Sequence, residues 1–165
     1  MRIIERKVYN FEELEENIQK KLIEKEIEYQ QKAYCESFLK EDIEEKAKEL
    51  LKKYFKNKAY FISVYYSLSY CQGDGAMIEF NLSYYNKILK IKQHGLYYHE
   101  RSFEIVNNYE ITEKQERGLE TKIIAMNKEL SKYGYELIEG AIITKEEAKE
   151  ELKEHEYYIN GEIYL

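Results

Sequence analysis

Proline and tryptophan are absent from this 165-residue chain, histidine occurs three times, and cysteine only twice. Two cysteines, Cys35 and Cys71, are too few for a disulfide framework and lack metal-ligand spacing, so both are expected as reduced thiols. No HExxH, paired-cysteine or His-x-His pattern occurs, which removes the common zinc motifs. No metal or other cofactor is expected. No apolar run approaches the roughly 20 residues that span a bilayer. The start, Met1-Arg2-Ile3-Ile4-Glu5-Arg6-Lys7, has no signal-peptide apolar region. The expectation is therefore a cytoplasmic protein without a membrane partner. No linker, internal repeat or low-complexity stretch interrupts the chain. One globular domain over 1–165 is expected, long enough to bury a core.

What is present points to a folded protein. The chain is 44% hydrophobic and 35% charged, a balance that fits a globular domain and not a disordered one. Eighteen tyrosines supply large contact area with a polar tip, suited to core margins and to interfaces. Net charge is −6, and the acids cluster at Glu12–Glu16, Glu41–Glu45 and Glu146–Glu151. Nucleic acid is bound by displacing phosphate counterions with excess positive charge, so this balance argues against direct nucleic-acid binding. Acidic helix faces offer two readings: mimicry of nucleic acid toward a basic partner, or ordinary solvated surfaces laced with lysine.

Periodicity orders the elements. Arg2–Val8 reads as a short strand. Asn10 with Glu13 forms a capping-box pattern before a helix carrying Leu14, Ile18 and Leu22. A second helix from about Lys40 to Lys56 places Ile43, Ala47, Leu50, Leu51, Tyr54 and Phe55 on one side. Two alternating runs follow. Tyr60, Ile62, Val64, Tyr66, Leu68 and Tyr70 share one face; after Gly73-Asp74-Gly75, so do Ala76, Ile78, Phe80, Leu82 and Tyr84. This pattern predicts a long antiparallel hairpin, reversed tightly at the two glycines, with one buried face. Ile88–Gln93 alternates weakly, and Leu96–Ile105 is expected as a further strand after a turn at Gly95. Thr112 with Gln115 caps a helix bearing Leu119, Ile123, Met126, Leu130 and Tyr133, with Gly134 placed to end it. Thr144 with Glu147 caps a shorter helix, and Asn160-Gly161 signals a closing hairpin. The order β-α-α-β-β-β-β-α-α-β predicts an α+β fold. Its antiparallel sheet has about four to six strands around the central hairpin, with helices mainly on one face.

The strongest binding candidates are Gln72 and Asp74 with Gly73 and Gly75, and the segment Tyr97, Tyr98, His99 and Glu100. A turn of two glycines needs no glutamine, whereas Asp74 could equally hydrogen-bond its own turn. A histidine beside a carboxylate suits general-base chemistry, yet His94, His99, Glu100 and Arg101 match no catalytic pattern. Structural or interface roles are favoured for them. Cys71 has no assignable activating partner, and Gly73-Asp74-Gly75 lacks the Lys-Ser/Thr and following helix of a phosphate loop.

Taken together, several segments resemble a small-protein family of bacteriophages and prophages. They are Tyr9-Asn10-Phe11-Glu12-Glu13-Leu14, Cys71-Gln72-Gly73-Asp74-Gly75-Ala76 and Gly95-Leu96-Tyr97-Tyr98-His99. Tyr135-Glu136-Leu137, Thr144–Leu152 and Tyr157–Gly161 continue the likeness in the same order. The Gln-Gly-Asp-Gly-Ala block is the specific part. Cys71 stands where the family has serine, and the tryptophan expected before the hairpin is missing. Members are often labelled antitoxins of a toxin–antitoxin stability system. The resemblance implies a mobile-element origin and a non-enzymatic binding protein of the bacterial cytoplasm. It would block a bacterial factor such as a defence nuclease or CRISPR-Cas effector; the alternatives are an antitoxin that neutralises a cognate toxin, and a small-ligand binder or enzyme built on a Gln/Asp/His/Glu cluster. A homodimer through the first helix or a sheet edge is compatible with the pattern.

Overall fold

A computed structural model describes residues 7–106 and 111–164. The protein is α+β, and its chain divides into two compact units, residues 38–137 and residues 1–37 with 138–165.

Unit 38–137 is built around an antiparallel four-stranded sheet in the order β2-β3-β4-β5, with β2 at Ala59–Ser67, β3 at Gly75–Tyr84, β4 at Lys87–Gln93 and β5 at Phe103–Val106. Ala76, Ile78, Phe80, Leu82, Leu89 and Ile91 are buried along its inner face, as the period-two pattern requires, but Met77 on the opposite face is fully buried too, so β3 does not have the single buried face expected. Helix α2 (Leu39–Phe55) buries Ile43, Ala47, Leu50, Leu51 and Phe55, and the Phe55 ring lies 5.3 Å from that of Phe80. Helix α3 (Glu113–Gly140) buries Leu119, Ile123, Met126 and Leu130, and begins at the Thr112–Gln115 capping box: Gln115 Oε1 accepts from Thr112 N at 2.9 Å. Glu129 joins α3 to α2, accepting from Lys53 Nζ at 2.7 Å and Tyr54 OH at 3.1 Å.

Unit 1–37 with 138–165 holds β1 (Tyr9–Asn10), α1 (Glu16–Ser37), α4 (Lys145–Lys153) and β6 (Glu156–Tyr157). Strands β1 and β6 pair antiparallel, Tyr9 opposite Tyr157, over a core of Phe11, Leu14, Ile23, Ala148, Leu152 and Tyr157. The Thr144–Glu147 capping box opens α4, with Glu147 N donating to Thr144 Oγ1 at 3.2 Å. The Asn160-Gly161 turn folds the chain back, with Tyr158 N donating to Glu162 O at 2.8 Å.

Several expectations need correction. The first helix does not start at Asn10. Its capping box closes only a single turn of 3-10 helix at Phe11–Glu13, and Leu14 is extended (φ −74°, ψ 154°) before α1 begins. Both Phe11 and Leu14 are thereby buried, and Gln19 Nε2 donates to the Leu14 carbonyl at 2.8 Å. The strand expected at Arg2–Val8 lies mostly outside the described residues; Lys7 and Val8 are not strand, and pairing starts at Tyr9. In β2 a bulge between Phe61 and Ser63 inserts one residue, so Phe61 and Val64 lie opposite Phe80 and Ile78 while Tyr60 and Ile62 are exposed. The hairpin does not reverse tightly: a seven-residue loop, Leu68–Asp74, joins β2 to β3, and Tyr70 is exposed there at φ 58°. The strand expected over Leu96–Ile105 is confined to β5, and His94–Ser102 forms a loop. Gly134 does not end α3. It lies buried inside the helix, where a Cβ would stand 2.7 Å from Leu68 Cδ1, so it is a close-packing site.

Candidate binding site

Two loops meet at one end of the four-stranded sheet. The first, Leu68–Asp74, is organised by one carboxylate. Asp74 Oδ1 accepts from Ser67 Oγ at 2.6 Å, and Oδ2 accepts from the Ser69 and Cys71 amides at 2.8 Å each. The Ser67 hydroxyl foremost, then the Cys71 and Ser69 amides, hold the Asp74 carboxyl below the usual aspartate range. The competing assignment weighed for Asp74, bonding within its own turn, is thus the one the geometry realises. Gln72 is exposed at the apex of this loop, and Cys71 is exposed beside it.

The second loop, His94–Ser102, folds onto the first. Tyr98 N donates to Gly73 O at 3.3 Å. Gly73 sits at φ +92°, and a Cβ on it would stand 2.4 Å from Tyr97 Cδ1, so only glycine lets the Tyr97 ring lie against this backbone. At Gly75 a Cβ would meet Tyr98 O at 3.0 Å and the His99 Cα at 3.1 Å. His99 Nδ1 accepts from Arg101 N at 3.0 Å, which puts the ring proton of neutral His99 on Nε2. Tyr97 stacks on His99 with centroids 6.5 Å apart, and Tyr98 stacks on Tyr65 at 6.0 Å.

Beneath both loops, α3 supplies two polar side chains. Strand β3 runs beyond the last β3–β4 pair, Phe80 with Ile91, so the amides of Ala76 and Ile78 lack a strand partner on that side. Ser131 Oγ accepts from Ala76 N at 2.7 Å and Asn127 Oδ1 accepts from Ile78 N at 3.2 Å. Asn127 Nδ2 also donates to Glu100 O at 3.3 Å. The fold thus gathers Gly73, Gly75, Tyr97, Tyr98 and His99 into one place. Glu100 adjoins them through its backbone, with its carboxylate 3.8 Å from Lys128 Nζ. His94 faces Glu104, Nδ1 to Oε2 3.5 Å, on an exposed edge.

The outward side of these loops exposes apolar and aromatic side chains beside the polar Ser69, Gln72, His94 and Arg101. Leu96 is 90% exposed, Tyr97 58% and Tyr70 65%, the last with its ring 4.6 Å from that of Tyr135. Sequence reasoning passed over Leu96, Tyr70 and Asn127. Asn127 had a readable signal, a polar residue one turn after Ile123 inside an otherwise apolar stripe. Away from this surface, burial and then Glu36 raise the Cys35 thiol, consistent with an unreactive cysteine. Among the described residues no cluster of histidine, cysteine and carboxylates has metal-site geometry, and no helix is long and apolar enough to cross a membrane.

The Asp74 bonds carry a pH signature. Because the folded-state value lies below the unfolded one, their contribution is complete above the unfolded aspartate range and is lost as pH falls through the folded value. Amide resonances of Ser69 and Cys71, followed by NMR on acidification, will move together with a midpoint below the ordinary aspartate range. Asp74→Asn will remove that step. A midpoint at the ordinary value would contradict the hydrogen-bonding scheme.

No family model, curated protein or solved structure matches this chain.

Proposed function

We propose that this chain is a non-enzymatic binding protein that docks on a protein partner through the sheet-end surface carrying Leu96, Tyr97 and Tyr70. The observation that supports it most is exposed aromatic and apolar area held on pinned loops. Hot spots of protein interfaces are enriched in tyrosine, and a preorganised loop spends little ordering entropy on binding. Single exposed apolar residues are ordinary; a group of them carried on two mutually bonded loops is the stronger sign.

The polar groups near the surface favour binding over catalysis. Asp74 commits both carboxylate oxygens to its own loop. His99 uses Nδ1 to accept from the backbone, and the Glu100 carboxylate faces Lys128. The phage-family resemblance supplies the class of partner: a bacterial defence factor such as a CRISPR-Cas effector, with a cognate toxin as the alternative target. Blocking would proceed by occlusion, since a standard interface takes only about 800 Å² from each partner.

Affinity capture from a bacterial lysate, with mass spectrometry, tests the proposal on the wild type and a Leu96→Asp/Tyr97→Asp variant. The wild type will retain a stoichiometric protein partner. The variant will lose it by at least about a hundredfold in affinity while keeping its circular dichroism, because both side chains are exposed. A partner held equally by the variant, or no partner at all, would overturn the proposal. Plating phage on a host carrying the captured system then separates defence blocking from toxin neutralisation.

A further inference from the structure

The far end of the same sheet holds a groove of about 520 Å³, within the range of small-molecule sites. It lies alongside Leu82–Tyr84, about 24 Å along β3 from Gly75 at ordinary strand rise. Its floor is the buried apolar set Phe55, Leu82 and Leu119, and its walls include the half-buried rings of Tyr54 and Tyr84. Four exposed lysines, Lys56, Lys58, Lys114 and Lys122, line it. Among the described residues none of the four is in an ion pair.

Two of these lysines stand against local rules. Lys56 is the C-cap of α2 at φ 55°, ψ −134°, a conformation that glycine adopts far more cheaply. Lys114 is the second residue of α3, where the helix dipole disfavours a cation. Departures of this kind are expected at functional or strained positions. Charge partitioning agrees. Residues 38–137 carry 16 basic and 15 acidic side chains, whereas the rest of the chain carries 10 basic and 17 acidic. Gly118 also lines the groove, and a Cβ there would enter open space, with nothing within 4 Å.

We infer that this groove binds a nucleoside phosphate, the planar base lying on the Phe55–Leu82–Leu119 floor between tyrosine rings and the phosphates among the four lysines. Aromatic walls and an apolar floor suit a flat body. Lysines act as point charges that hold phosphate without the bidentate geometry of arginine.

Titration with ATP, GTP, CTP and UTP, followed by NMR at Ser83 and Gly118, tests the assignment beside adenosine and inorganic phosphate. At least one nucleotide will give saturable shifts at both positions. Adenosine and phosphate alone will each bind at least about tenfold more weakly, because each supplies half of the contacts. Lys114→Glu/Lys122→Glu will weaken nucleotide binding at least about tenfold and remove most of its salt dependence. Gly118→Leu will abolish binding by filling the groove while keeping the fold, since leucine is the better helix former. No shifts with any of the four nucleotides would overturn the inference. Binding unchanged in both variants, or phosphate or adenosine binding as tightly as the nucleotide, would overturn it equally.

Discussion

An Asn127→Leu variant will lose about 1.5–4.5 kcal/mol of stability: about 1–3 for the buried Ile78 amide left unpaired and about 0.5–1.5 for the lost bond to the half-buried Glu100 carbonyl. Asn127 has no solvent exposure, so water cannot replace its bonds. Its carbonyl takes the Ile78 amide where β3 has outrun β4, and its amide reaches the Glu100 carbonyl in the His94–Ser102 loop. The side chain therefore substitutes for a missing strand and ties the candidate binding loop to α3. Leucine is close in size, so the loss will come from polarity and not from a cavity. Urea denaturation measures it. Amide exchange at Ile78 should accelerate in the variant even under conditions where the fold persists. A stability within about 0.5 kcal/mol of wild type would show that Asn127 is not the link described.

Tyr157→Ala will cost about 3–5 kcal/mol, the range for emptying a fully buried aromatic site. Tyr157 is completely buried, its ring 6.4 Å from that of Phe11 in an edge-to-face arrangement, and its hydroxyl donates to Leu152 O at 2.8 Å. Burial first, and Glu26 second, push its phenol above the ordinary tyrosine range. Tyr157→Phe keeps the ring and loses the hydroxyl, so it will cost only about 1–2 kcal/mol. Comparing the two by thermal and urea unfolding separates packing from hydrogen bonding. Equal losses in the two variants would show that the hydroxyl, and not the ring, holds this core.

Much of the fold was legible because its signals are local. The capping boxes at Thr112–Gln115 and Thr144–Glu147 depend only on residues three apart, and both form. The apolar stripe Ile43–Ala47–Leu50–Leu51 identified α2, and the apolar residues at every second position from Ala76 to Leu82 identified β3 and its inner face, while the burial of Met77 on the other face was not foreseen. What misled was equally physical. Alternation in β2 continued on paper through Ile62, but a bulge reverses the faces there, and only pairing with β3 reveals an extra residue. Gly134 has the composition of a helix end, yet its small size serves the approach of Leu68. Leu96–Ile105 is rich in apolar and aromatic residues after the Gly95 turn, but most of it folds over the hairpin loop instead of pairing with β4.

The candidate site divides the same way. Its glycines, tyrosines and histidine were named from sequence because the Gln72–Gly75 and Gly95–His99 segments are unusual in composition. Their meeting was not predictable, since strands β3 and β4 lie between them and the contact depends on register. By itself the sequence determined the α+β class, the element order, the caps of the last two helices and the inner face of β3, each set by interactions a few residues apart. Only tertiary structure decided the β2 bulge, the role of Asn127, the clasp of Gly73 on Tyr97 and the gathering of four lysines around one groove. Each of these depends on atoms brought together across the chain by packing, and no period in a linear sequence encodes which distant surfaces will meet.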